Sequence, residues 1–167
     1  MRVLLSVIFL FFLSPSKATT ITELFADGVF GTQWGDTLEA VANKLPNTNK
    51  ESIGDIVWLE LKDSKEVLGV PRENQELYFS FDAENRLNGV AVYYNSDDYG
   101  VLLNKLNTLF GEYTQVEGNK TALQWKSSDF VLTLSFVTIG INTNSVFSIG
   151  YHGLTKPNAK KEDLGFN

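Results

Sequence analysis

Residues 77–94 read Leu-Tyr-Phe-Ser-Phe-Asp-Ala-Glu-Asn-Arg-Leu-Asn-Gly-Val-Ala-Val-Tyr-Tyr. From Leu77 to Phe81 the apolar residues alternate. Leu77, Phe79 and Phe81 share one face, and Tyr78 and Ser80 share the other. Leu87 to Tyr94 alternates too, with Val90, Val92 and Tyr94 together. A period of two marks a strand buried on one side. The intervening Asp82-Ala83-Glu84-Asn85-Arg86 is polar and short enough to turn a hairpin. These eighteen residues therefore predict two antiparallel strands with a shared apolar face. Such a face must be covered by another layer.

Upstream, Asp36 to Leu45 carries Leu38, Val41, Ala42 and Leu45 at helical spacing. Asp36 is placed to cap this helix, Glu39 to act as the capping-box acid, and Pro46 to stop it. A strand from Ile56 to Leu61, containing Trp58, follows. Downstream, Tyr99, Leu102, Leu106, Leu109 and Phe110 line one side of a second helix over 97–110, ended by Gly111. Three further strands are expected, at 122–126 (with Trp125), 130–137 and 146–152. The order is helix, Trp-bearing strand, strand, strand, and then the same again. The expected fold is α+β: two helix-plus-three-stranded antiparallel units (α-β-β-β repeated), at 36–95 and 96–153, packed as one compact domain. The simpler alternative is a single α+β sheet with two unrelated helices.

The ends carry other signals. After Met1-Arg2, Val3 to Leu13 is apolar except for Ser6, and Pro15 breaks the run. The run suits a signal-peptide core and is shorter than the roughly 20 residues of a membrane-spanning helix. Small residues at Ser16 and Ala18 place cleavage near Ala18, so 1–18 is expected to be a leader and 19–35 an N-terminal segment. An uncleaved anchor is the alternative. Residues 154–167 are expected to form a polar tail. The chain has no cysteine, so a lipid anchor on a cysteine after the cleavage site is excluded. An exported chain without disulfides points to the bacterial periplasm, or to secretion from a bacterium.

Charge narrows the partners. The chain has 14 basic and 20 acidic residues. Loss of Arg2 and Lys17 with the leader leaves twelve against twenty, a formal charge of −8. Such a surface repels phosphate backbones, so no nucleic-acid partner is expected.

Candidate chemistry is sparse. His152 is the sole histidine, with no nucleophile elbow to serve. One histidine and no cysteine make zinc improbable, and no cofactor or metal site is expected. Asp82-Ala83-Glu84-Asn85 lacks the acidic ladder of a calcium loop and reads as a turn, while Asp97-Asp98 reads as a helix start. Gly28, Gly31 and Gly35 are wrongly spaced for a phosphate loop.

The segment Phe30-Gly31-Thr32-Gln33-Trp34-Gly35-Asp36-Thr37-Leu38-Glu39-Ala40-Val41 resembles the turn-then-helix opening of SmpA/BamE-like envelope proteins. A tandem copy of that unit resembles the β-lactamase-inhibitor-protein architecture. The resemblance implies helix-on-sheet modules and protein binding in the envelope. This chain departs from the first group in lacking a lipidation cysteine and from the second in lacking disulfides.

Aromatics supply the remaining candidates. Trp34 sits in a glycine-flanked loop, and Tyr78 and Tyr93 oppose the apolar faces of their strands. All three are candidate partner-binding residues. The expected function is an exported, non-catalytic protein-binding protein: an inhibitor, an immunity protein or an envelope assembly accessory. The alternatives are a periplasmic small-molecule or glycan-binding module and, further off, a carboxylate-based hydrolase.

Overall fold

A computed structural model describes residues 20–62, 65–71 and 76–155. The leader, and the tail beyond Thr155, lie outside these residues. The helices are α1 (Ile21–Phe25), α2 (Leu38–Lys44) and α3 (Tyr99–Phe110). The strands are β1 (Thr48–Ile53), β2 (Ile56–Lys62), β3 (Glu76–Phe81), β4 (Leu87–Asn95), β5 (Thr114–Val116), β6 (Asn119–Lys126), β7 (Phe130–Ile139) and β8 (Asn142–Tyr151).

The expected pair of α-β-β-β units does not form. All eight strands belong to one antiparallel sheet, in the order β1-β2-β3-β4-β8-β7-β6-β5. The fold is β-rich, with small helices on a single sheet. The two strands absent from the sequence reading, β1 and β5, are its edges. Alternation is written only where one face of a strand is buried. Most of β1, Thr-Asn-Lys-Glu-Ser-Ile, is exposed on both faces, and β5 is three residues long. Neither had a core to record.

Seven residue pairs, from Gly89↔Gly150 to Asn95↔Asn144, join β4 to β8 and merge two four-stranded meanders. The merger aligns two apolar rows. One runs Leu61, Leu77, Val92, Phe147, Leu134, Leu123, and the other Leu59, Phe79, Val90, Ile149, Leu132, Trp125. Every member is buried. Val41 of α2 and Leu102 and Leu106 of α3 are buried in the same core cluster.

Local chemistry sets the helices. Thr37, not Asp36, caps α2 by accepting from the Ala40 N–H at 3.2 Å. The Asp36 carboxylate instead accepts from the Gln33 N–H and from Lys44, both at 2.7 Å. Its backbone oxygen accepts from the Leu87 N–H at 2.8 Å, while the Gly35 N–H donates to the Leu87 oxygen at 2.9 Å. This pair of hydrogen bonds ties the start of α2 to the β3–β4 turn. In that turn the Asp82 carboxylate accepts from the Glu84 and Arg86 N–H groups and from the Arg86 guanidinium, so these residues close a hairpin.

Leu106→Ala is expected to lower stability by about 2–5 kcal/mol in urea unfolding, as for other buried leucines. Leu109→Ala, on the exposed side of α3, should change it by less than about 0.5 kcal/mol.

Candidate functional site on the uncovered sheet face

The second face of the sheet has its own cross-strand rows. One runs Trp58, Ser80, Gly89, Gly150, Val131, Lys126. The next runs Glu60, Tyr78, Ala91, Ser148, Thr133, Gln124. In these two rows Trp58, Glu60 and Tyr78 stand over β2 and β3, and only Gly89, Gly150, Ala91 and Ser148 lie over the β4·β8 junction, up to the larger pair Tyr93↔Val146. The glycine pair makes the junction a trough. A Cβ on Gly89 would lie 2.5 Å from the Ser80 hydroxyl oxygen. The trough opens into a shallow cleft of about 320 Å³ lined by Asn88, Gly89, Ser148 and His152 among others.

Tyr78 and Tyr93 meet on this face, with ring centroids 5.0 Å apart and planes at 67°, an edge-to-face pair. Lys62 lies beside them. Its ammonium is 3.3 Å from a carboxylate oxygen of Glu60 and 3.3 Å from one of Glu76. The Tyr78 hydroxyl donates to the other Glu76 oxygen. Glu60 is only 8% exposed although it faces away from the core. Its neighbours on this face bury it and Lys62 pairs with it, as a buried carboxylate requires.

The electrostatics follow from these contacts. The donated Tyr78 hydrogen bond, then the bonds with Glu60 and Lys62 and the Lys62 charge, hold the Glu76 carboxyl below its ordinary range against the opposing effect of burial. Burial, and then the Glu76 carboxylate, push the Tyr78 phenol upward, and the Tyr93 phenol rises for the same two reasons. Both phenols stay neutral donors at physiological pH. Glu60, Glu76 and Lys62 thus form one bonded cluster over the β2–β3 pair.

Trp34 is elsewhere. It packs on the covered side, 5.4 Å from the Tyr151 ring and 5.7 Å from Phe130. Its indole N–H donates to the Phe25 oxygen at 2.6 Å. It fastens α1 to one end of β7 and β8, and it does not join Tyr78 and Tyr93. The loop that carries it is shaped by Gly28, at φ +88, where a Cβ would lie 1.9 Å from the Thr32 oxygen. His152 is exposed, at the end of β8. Sequence reading did not assign Trp58, Glu60, Lys62 or Glu76 to the site. The signal was present in Trp58-Leu59-Glu60-Leu61-Lys62, whose alternation puts all the non-leucine residues on one face.

Among the described residues, no group of three or more His, Cys, Asp or Glu side chains is placed to hold a metal ion. No described helix is long and apolar enough to cross a membrane. No family model, curated protein or solved structure matches the chain.

A carboxylate whose pKa is depressed on folding stabilises the fold above the ordinary carboxylate range, and this is lost as the pH falls through the depressed value. Tyr78→Phe is expected to raise the Glu76 carboxyl pKa, read by ¹³C NMR titration, and to move the acid-unfolding midpoint to higher pH. An unmoved Glu76 titration would show that the phenol hydrogen bond is not the cause. Trp34→Ala should cost about 3 kcal/mol of stability and leave the Tyr78 and Tyr93 ring resonances unchanged.

Proposed function

We propose that this chain is a non-catalytic protein-binding protein, exported to the bacterial envelope, that grips a partner with the uncovered face of its sheet. The observation that carries the reading is the edge-to-face Tyr78–Tyr93 pair, held beside Lys62-bridged carboxylates and a glycine-floored trough. Tyrosine on a rigid strand buries area at little entropic cost, which suits it to an interface centre.

Dimensions support the reading. Seven inter-strand spacings make the sheet about 34 Å wide, and seven paired residues extend about 24 Å. The product, about 800 Å² at most because the ladders toward β5 pair only four and three residues, is of the order one partner contributes to a standard protein interface. The partner's chemistry follows from charge complementarity. A chain with 20 acidic and 14 basic residues fits a basic protein surface. Roles as an inhibitor, an immunity protein or an assembly accessory all use such a surface.

Position-specific photo-crosslinking tests this. A benzoylphenylalanine at position 91, on the floor of the trough, is expected to give one discrete adduct in the envelope. The same group at position 105, on α3, should give none. Adducts from both positions alike, or from position 105 alone, would sink the proposal. A partner-free protein carrying a co-purified glycan or small molecule would favour the ligand-binding alternative instead.

A further inference from the structure

The β5–β6 hairpin turns at Glu117-Gly118, with Gly118 at φ +78 and the pair Val116↔Asn119 closing it. The run Glu117-Gly118-Asn119-Lys120-Thr121 holds an Asn-x-Thr triplet without proline. In an exported chain that triplet is the acceptor pattern for an N-linked glycan. No other asparagine of the chain heads such a triplet, with threonine or with serine. An acid stands two residues before the asparagine, a charged handle for an enzyme that must grip the segment.

Burial, or a hydrogen bond from the amide nitrogen, would silence the triplet. Neither occurs here. Glu117, Gly118, Asn119, Lys120 and Thr121 are all exposed. The Asn119 Oδ1 accepts from the Thr121 N–H at 3.0 Å and from the Thr121 hydroxyl at 2.8 Å. A backbone N–H can only donate, so this bond fixes which side-chain atom is the oxygen. The Nδ2 is then left without a hydrogen-bond partner among the described residues. Glu117 likewise makes no ion pair among the described residues.

The hairpin can also leave the sheet. Its first strand, β5, is a three-residue edge with Thr114 and Gln115 exposed, and its ladder to β6 shifts register between Gln115 and Val116. Few buried contacts hold such a segment, so it opens at lower cost than the central strands. An enzyme can draw residues 117–121 into its site without unfolding the core.

We propose that Asn119 is the acceptor of an N-linked glycan, added in the envelope by an oligosaccharyltransferase that reads Glu117 and Thr121 on either side. The donor is an oligosaccharide carried on a lipid pyrophosphate. The Asn119 Nδ2 attacks the anomeric carbon, and the new N–C bond forms as the C–O bond to the pyrophosphate breaks. The lipid pyrophosphate leaves with the bonding electrons, and one amide proton passes to it through a base of the transferase. Nothing is oxidised or reduced. The inference rests on the export part of the reading above and not on the partner face. Asn119 keeps the strand parity of Leu123 and Trp125, so it belongs to the helix-carrying side. It also lies three strand spacings, about 14 Å, from β4. A glycan there shields the β5 edge and leaves Tyr78 and Tyr93 free.

The folded full chain is incubated with a solubilised oligosaccharyltransferase from a bacterial envelope and its lipid-pyrophosphate oligosaccharide, which tests the acceptor apart from export. The intact mass is expected to rise by one glycan, placed on Asn119 by peptide mass spectrometry. Asn119→Gln and Thr121→Val should lose it, Thr121→Ser should keep it, and Glu117→Gln should reduce it. All these positions are exposed, and an unchanged near-UV circular dichroism spectrum checks that each variant is folded. An unmodified wild-type chain, a glycan on another asparagine, or transfer that survives Thr121→Val would overturn the assignment. Transfer unmoved by Glu117→Gln would strike out the role given to that acid. Expression of the same sequence in a bacterium with this transferase separates the two readings. A chain modified in the tube, but unmodified in the cell and still carrying residues 1–18, would remove export and the modification with it. A processed chain modified in neither setting would remove the acceptor and leave export standing.

Discussion

The pairing of β4 with β8 is the constraint from which the rest of the molecule follows. Each four-stranded meander alone would present a narrow apolar face with little helix to cover it. Seven residue pairs between the two meanders convert two such faces into one. The cross-strand rows then run unbroken from Leu61 to Leu123 and from Leu59 to Trp125. Leu102 and Leu106 of α3 are fully buried in that joint core, so α3 serves the whole sheet rather than the half that precedes it. One stretch of the junction also carries very small side chains. Gly89 faces Gly150 and Ala91 faces Ser148 on the far side, so the strands are joined with a trough above them.

A sheet about 34 Å wide uses up the available helices. A helix with its side chains is about 10 Å across, so three helices are needed to span one face. The described chain has three, and one is only five residues long. No described helix is left for the other side. Its central strands therefore carry polar and aromatic residues that tolerate water but still pack together, such as Tyr78 on Tyr93 and Lys62 between two glutamates. The uncovered face is a consequence of topology. The aromatics and charges placed on it are a choice that topology does not dictate.

Six strands were legible because each is buried on one side and so writes its burial as alternation. The edge strands were silent for the reason that makes them edges. Asn49, Lys50, Glu51 and Ser52 have no core to face, and without them a four-stranded meander looks three-stranded. Tyr78 and Tyr93 were legible as a pair because both sit opposite apolar neighbours in adjacent strands. Trp34 was not separable from them, since a loop has no period and its burial is decided by Phe130 and Tyr151, far along the chain. The acids of the site were hidden by abundance: Glu60 and Glu76 become distinctive only when the register sets Lys62 between them.

The edges bear on how a partner can approach. In a two-fold antiparallel pairing each pair's residue numbers sum to an even value, because alternate residues turn their backbone groups outward. For β1 the two registers of fullest overlap therefore set Lys50 opposite Lys50 of a second copy, or Glu51 opposite Glu51. Like charges directly opposed are destabilising, and this is how natural edge strands resist extension. At the other edge β5 has three residues and a register shift between Gln115 and Val116, too little to template a strand. With both edges guarded and one face carrying the described helices, the tyrosine-bearing face is the flat surface that the proposed partner would meet. A partner bound there, as proposed, would be read by side chains rather than backbone ladders, which would tie specificity to Tyr78, Tyr93 and the carboxylates around Lys62.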